Sequence, residues 1–115
     1  IYAFQSPIFE NYKNEKYFNP PNYGASKSAL IQWTKYAACQ YGKKGIRFNS
    51  VSPGPIPNLK NINKNISLSK LRKRIPLKSL GNPKDLSGIL IYLCSNSSSY
   101  VNGSNIIVDG GWSAW

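Results

Sequence analysis

A chain of 115 residues allows at most one ordinary domain. Its 15 Lys and Arg against 4 Asp and Glu give a net charge of +11, a balance open to nucleic acid, to a phosphate-bearing small molecule or to a solvated basic face; we expect the latter two and no nucleic-acid partner. Histidine is absent, which removes Ser-His-Asp and Cys-His catalysis from this segment and speaks against any metal site, and no apolar run reaches the roughly 20 residues of a membrane span.

The chain begins at Ile1 and contains no Met, which predicts a piece of a longer polypeptide, without a secretory signal pattern at its start. Cys39 and Cys94 stand far apart with no CxxC spacing. They are expected as buried free thiols in a reducing, cytoplasmic compartment.

Residues 1–22 follow neither helical nor strand periodicity and carry Phe4, Phe9, Tyr12, Tyr17 and Phe18. So many aromatics predict an ordered, packed loop rather than a linker. A helix is predicted from Tyr23 to about Tyr41. Ala25, Ala29, Trp33 and Ala37 recur at four-residue steps, with Leu30 and Tyr36 beside them. Trp33 reads as core or subunit interface rather than a ligand contact. Gly42 and Gly45 bracket the stop, and Lys43 and Lys44 suit a helix C-terminus.

Ile46 to Val51 read as a short strand ended by Pro53-Gly54. Residues 55–81 are broken by Pro55, Pro57 and Pro76, with one or two helical turns predicted in "SLSKLRKRI" and Leu68, Leu71 and Ile75 on one face. The basic cluster from Lys70 to Arg74 reads first as a solvated face and second as a contact for a substrate phosphate or carboxylate. A long segment of this kind inside a compact unit is functional or mobile.

The next helix has a clear start. Asn82 is a good N-cap, Pro83 suits the first position and Asp85 the third, and Leu86, Ile89, Leu90 and Leu93 follow at helical spacing. A Ser-rich stretch and Asn102-Gly103 predict a turn, and "SNIIVDGG" a second strand. Asn49 is expected to make a structural hydrogen bond. Asp109 and its glycines are expected to shape a turn. The order of helix, strand, long loop, helix and strand predicts an α/β fold, the C-terminal part of a Rossmann-like doubly wound parallel sheet.

Tyr23 and Lys27 lie four residues apart, so on a helix they share a face within mutual reach. An ammonium group stabilises a nearby phenolate, and a phenol so placed can give or take a proton at a carbonyl or alcohol oxygen. Alone, such a pair is equally an exposed polar pair. Its company narrows the reading. Tyr23-Gly24-Ala25-Ser26-Lys27, then "GIRFNSVSPG" over 45–54, then Asp109-Gly110-Gly111 resemble the classical short-chain dehydrogenase/reductase family, and the likeness covers roughly residues 20–113.

The resemblance implies that residues 1–115 are the C-terminal part of one NAD(P)-binding domain, with 55–81 as the substrate-binding loop. It implies catalysis by Tyr23 and Lys27, and a cofactor, NAD or NADP, held by Tyr23, Lys27, Pro53, Gly54 and Ile56, with no metal. The family's catalytic serine, its active-site asparagine and its glycine-rich phosphate turn would fall before Ile1, with Ser6 a poor second candidate for the serine. Asn58 stands where many members carry Thr.

The implied function is hydride transfer between a nicotinamide and an alcohol/carbonyl substrate, by way of example a sugar or polysaccharide precursor; Tyr12, Tyr17 and Phe18 could line a sugar-sized pocket. The alternatives are an acyl-carrier-protein reductase of the same family and a non-catalytic basic binding module. The family also implies a homo-tetramer or homo-dimer, formed partly by the Tyr23–Tyr41 helix, and no membrane partner. These 115 residues alone are expected to be inactive, lacking the phosphate turn.

Overall fold

The computed structural model describes residues 1–58 and 67–115, so residues 59–66 of the expected 55–81 loop lie outside the described residues. Helix α1 spans Pro21–Tyr41. It starts two residues earlier than Tyr23, because Pro21 has no N–H to lose and its fixed φ suits a first helical position. Beyond Tyr41 the chain tightens into a 3-10 turn over Gly42–Lys44 and leaves through Gly45 at φ 75°, a left-handed conformation that glycine adopts without strain.

The packed face of α1 is formed by Thr34, Ala37 and Ala38. Of the expected small-residue stripe only Ala37 is buried; Ala25, Ala29 and Trp33 face outward, and Trp33 is 56 % exposed, held edge-on to Phe48 at 5.7 Å. Four-residue steps drift around a helix of 3.6 residues per turn, so a stripe that begins on one side at Ala25 ends on another at Ala37.

Strands β1 (Ser50–Pro53) and β2 (Asn105–Val108) pair in parallel, from Ser50 opposite Asn105 to Pro53 opposite Val108. The first strand is shorter and later than its sequence suggests. Residues 46–49 are held mainly by side chains: Phe48 N donates to Asn102 Oδ1 at 2.8 Å, and Asn49 takes Ser104 N at 3.0 Å and gives Nδ2 to Val101 O at 2.9 Å, beside one backbone bond from Gly103 N to Phe48 O at 2.7 Å. Asn49 is thus structural, as expected. Pro53 ends the strand without breaking it, since the next rung is Gly54 N to Val108 O at 2.9 Å.

Helix α2 covers Leu68–Arg74 and is capped by the Ser67 hydroxyl, which accepts from Lys70 N. It is pinned at both ends. Ser67 N reaches Asn11 O and Lys70 Nζ reaches Glu10 O at 2.8 Å. At the other end Ile75 and Trp112 are each 1 % exposed, Arg74 lies over the Trp112 ring at 5.5 Å, and Leu77 N bonds Gly110 O. This is a fixed wall between the first and last segments of the chain, and the described part of the 55–81 segment is ordered accordingly.

Helix α3 (Ser87–Leu93) is preceded by a 3-10 turn over Pro83–Leu86. The Asn82 N-cap read from the sequence is present, and Asp85 completes a capping box: Asn82 accepts from the backbone, and Asp85 Oδ2 accepts from Asn82 N at 2.7 Å. Leu86, Ile89 and Leu93 are half-buried, whereas Leu90 is 50 % exposed because α3 packs mainly against its own flanking turns. The C-terminus of α3 is closed by Arg47, which donates to Leu93 O at 2.7 Å and Val101 O at 3.1 Å, a cation on orphan carbonyls. Cys39 and Cys94 are free, as expected, but exposed rather than buried. Cys39 lies on the surface of α1 and Cys94 just past the end of α3.

Among the described residues, no helix is long and apolar enough to cross a membrane and no cluster of His, Cys, Asp and Glu could hold a metal.

Asp109 closes the turn after β2. Burial opposes its ionisation, but donors from the Ser113 hydroxyl (2.6 Å), the Ser113 amide and the Gly111 amide (2.8 Å each) prevail and hold its pKa below the usual carboxylate value. A depressed folded pKa contributes stability above the unfolded value, lost as pH falls through the folded one. Asp109→Asn is therefore expected to destabilise the protein at neutral pH by about 1–2 kcal/mol. Denaturant unfolding at neutral and acid pH checks this: the gap between parent and variant should narrow in acid.

Candidate active site

The carboxyl end of β1, the N-terminal half of α1 and the aromatic segment ahead of it enclose a cavity of about 730 Å³, within the range of ligand pockets. Tyr23, Lys27, Pro53, Gly54 and Ile56, the residues singled out from the sequence, all line it. In open α/β sheets ligands bind at this edge, beyond the carboxyl ends of the strands.

Tyr23 is in the first turn of α1 and 44 % exposed, so a ligand in the cavity can reach it. One turn on, Lys27 holds its ammonium nitrogen 5.4 Å from the centre of the Tyr23 ring, a cation–π contact in form. The pair is therefore brought together by helical spacing alone. The Pro53-Gly54 corner lines the same cavity from the carboxyl end of β1.

Two glycines here have packing reasons. A Cβ on Gly24 would lie 2.9 Å from the Tyr2 carbonyl oxygen, so glycine lets the first loop dock on α1. Ser28 secures that dock by donating to the Ala3 carbonyl. Gly24→Ala is expected to destabilise the protein by about 1–3 kcal/mol and to weaken kcat/KM as Tyr2 shifts; thermal unfolding with steady-state kinetics checks both. A Cβ on Gly54 would meet the Asp109 backbone, with Cα at 2.5 Å.

The opposite wall comes from the segment before α1. Tyr2, Asn11, Tyr12, Tyr17 and Asn19 line the cavity. Tyr12 and Tyr17 match the sequence reading. Phe18 does not line it; its ring packs on Phe9 at 4.8 Å and Tyr12 at 5.5 Å. Ser6 is exposed and outside the lining as well. Tyr2, Asn11, Ile31, Leu71 and Leu86 are lining residues that sequence reasoning missed. Leu71 had a signal, the apolar face of α2, and Leu86 another, the stripe of α3. Tyr2 had none, since its nearness to Tyr23 depends on the loop's return path.

Residues 11–113 match the family model described as enoyl-(acyl carrier protein) reductase. The chain is 39 % identical over 94 residues to an L-rhamnose-1-dehydrogenase of Scheffersomyces stipitis, covering 78 % of this chain and 36 % of that protein. It is 40 % identical over 93 residues to a 3-oxoacyl-[acyl-carrier-protein] reductase of Buchnera aphidicola, covering 78 % and 37 %. Among solved structures, a short-chain dehydrogenase from Leptospira borgpetersenii with bound NAD+ superimposes with a TM-score of 0.83 at 33 % identity, over 96 % of this chain and 41 % of that one. The curated relatives are longer: the chain spans 17 % of one and 38 % of another. The parallel strand pair and its helices are thus part of a Rossmann-like α/β fold, and the chain belongs to the short-chain dehydrogenase/reductase family.

Proposed function

We propose that this protein is an NAD(P)-dependent oxidoreductase that interconverts an alcohol and a carbonyl compound, with a sugar or sugar-derived substrate. The observation that carries the proposal is the convergence of Tyr23, Lys27 and the Pro53-Gly54 corner on one cavity. That cavity suits a nicotinamide: a flat wall at Pro53 and Gly54, an apolar neighbour in Ile56 and a cation with donors to spare in Lys27. A bound nicotinamide would accept or supply the hydride. Tyr23 takes the proton from the substrate hydroxyl as the carbonyl forms, or returns it in the reverse direction. Lys27 stabilises negative charge on the Tyr23 oxygen and offers remaining donors to a ribose hydroxyl. Pro53, Gly54 and Ile56 exclude water from one face of the site.

Sugar chemistry is favoured by the phenols and carboxamides of the opposite wall, and by relatives named for L-rhamnose and D-arabinitol. A second reading, reduction of an acyl group on an acidic carrier protein, is favoured by the exposed Arg72, Lys73 and Arg74 of α2 and by the relative acting on such carriers. Assay of NAD(P)H consumption with ketoses and with an acetoacetyl thioester separates them. Turnover of neither would sink the proposal as a whole.

The outward stripe of Ala25, Ala29, Trp33 and Tyr36 on α1 suits a second copy of this protein, giving a homo-dimer or homo-tetramer. The free, exposed thiols suit a reducing, cytoplasmic setting. Hydride transfer further needs a cradle for the dinucleotide phosphates. No glycine-rich turn of that kind occurs in these 115 residues, so on their own they are proposed to be inactive.

A further inference from the structure

Tyr2 does more on the cavity wall than fill space. Its ring stands edge-on to Tyr23, at 6.4 Å and 80°. Tyr12 lines the same cavity beside it. Behind it, the close approach of its carbonyl to Gly24 and the bond from Ser28 to Ala3 fix the backbone against α1. Burial first, then the Tyr12 hydroxyl and the neighbouring Tyr23, push its pKa far above that of an ordinary phenol. The Tyr2 hydroxyl therefore stays neutral, with a donor and an acceptor to offer.

The rest of that wall has the same character. Asn11, Tyr12, Tyr17 and Asn19 present neutral hydrogen-bonding groups, and among the described side chains Lys27 is the one charged group in the lining. A simple aliphatic alcohol would leave this wall unpaired, at about 1–3 kcal/mol for each polar group left buried without a partner. Among the described side chains of the lining, an anionic substrate would find no cation besides Lys27, which faces Tyr23.

Resting on the reading of Tyr23 as the proton-transferring group, we infer that Tyr2 is a specificity-determining residue: its hydroxyl binds a second, non-reacting hydroxyl near the reacting carbon, and the substrate is a neutral polyhydroxylated molecule. The test uses the complete polypeptide with cyclohexanol, cyclohexane-1,2-diol, D-arabinitol and the anion gluconate. Wild type should favour the diol over cyclohexanol in kcat/KM by about 10-fold, the worth of one well-placed hydrogen bond, and should favour D-arabinitol over gluconate. Tyr2→Phe should remove most of the diol preference. Tyr12→Phe, on the same wall, should lower it by a smaller factor.

An equal fractional loss on diol and cyclohexanol in Tyr2→Phe would mark a merely structural role and overturn the inference. So would an unchanged ratio, a wild-type preference for cyclohexanol or gluconate, or turnover of no polyol. If Tyr23→Phe stops turnover of every probe while Tyr2→Phe leaves the ratio intact, this inference alone fails. If Tyr23→Phe keeps its turnover, the parent reading fails with it.

Discussion

Replacing Tyr23 with Phe is expected to lower kcat/KM by about 10²- to 10⁴-fold, the range that a positioned proton donor or acceptor contributes. The substitution removes one oxygen and keeps the ring, so the edge-on contact with Tyr2 and the seat under Lys27 both persist. Folding should therefore be unaffected, and cofactor affinity should change little beside the rate. Lys27→Met should reduce kcat by a similar order and in addition weaken NAD(P)H binding, because that ammonium is assigned two tasks. Steady-state kinetics with a fluorescence titration of NADH and NADPH separates the two variants. A Tyr23→Phe enzyme that retained its rate would remove the assignment.

The largest effect on stability is expected at Gly54. A Cβ there would lie 2.5 Å from Asp109 Cα, 2.7 Å from Asp109 Cβ and 2.9 Å from Asp109 O. Backbone atoms cannot step aside as a flexible side chain can. Gly54→Ala must therefore part the ends of β1 and β2, where Gly54 N bonds Val108 O at 2.9 Å. A loss of about 3 kcal/mol or more is expected, at the upper end of overpacking. It would also open the Pro53-Gly54 corner of the cavity. Gly88 provides a control. A Cβ there meets nothing within 4 Å, and within a helix Ala is preferred to Gly by about 0.5–1 kcal/mol. Gly88→Ala should be neutral or stabilising. Denaturant unfolding of both variants checks the pair, and equal stabilities would contradict the packing argument.

What could be read from the sequence was what neighbouring residues decide between themselves. The Tyr23–Lys27 geometry follows from helical spacing. The Asn82–Asp85 box, the Gly45 exit and the Asp109 turn follow from side chains bonding backbone within a few positions. The bounds of β1 were not legible, because Phe48 and Asn49 bond partners more than 50 residues away. Nor was the direction of the alanines on α1, since small residues suit an inner and an outer face equally well. Gly24 illustrates the same limit at the site. The group that occupies the space its missing side chain leaves is the Tyr2 carbonyl, which arrives from a distant part of the chain. Tyr2 itself could not be found, because its place beside Tyr23 is set by how a 20-residue loop folds back, which neither periodicity nor spacing encodes.

The central claim is that the cavity over Tyr23 and Lys27 moves hydride between a carbinol carbon and a nicotinamide. It is tested most directly by following the label. The complete polypeptide is incubated with a polyol deuterated at the reacting carbon and with NAD+ or NADP+, and the reduced nicotinamide is examined by NMR. Direct transfer predicts deuterium on one face of the nicotinamide ring and none in the solvent. Carbonyl product formed with no deuterium in the cofactor would contradict it.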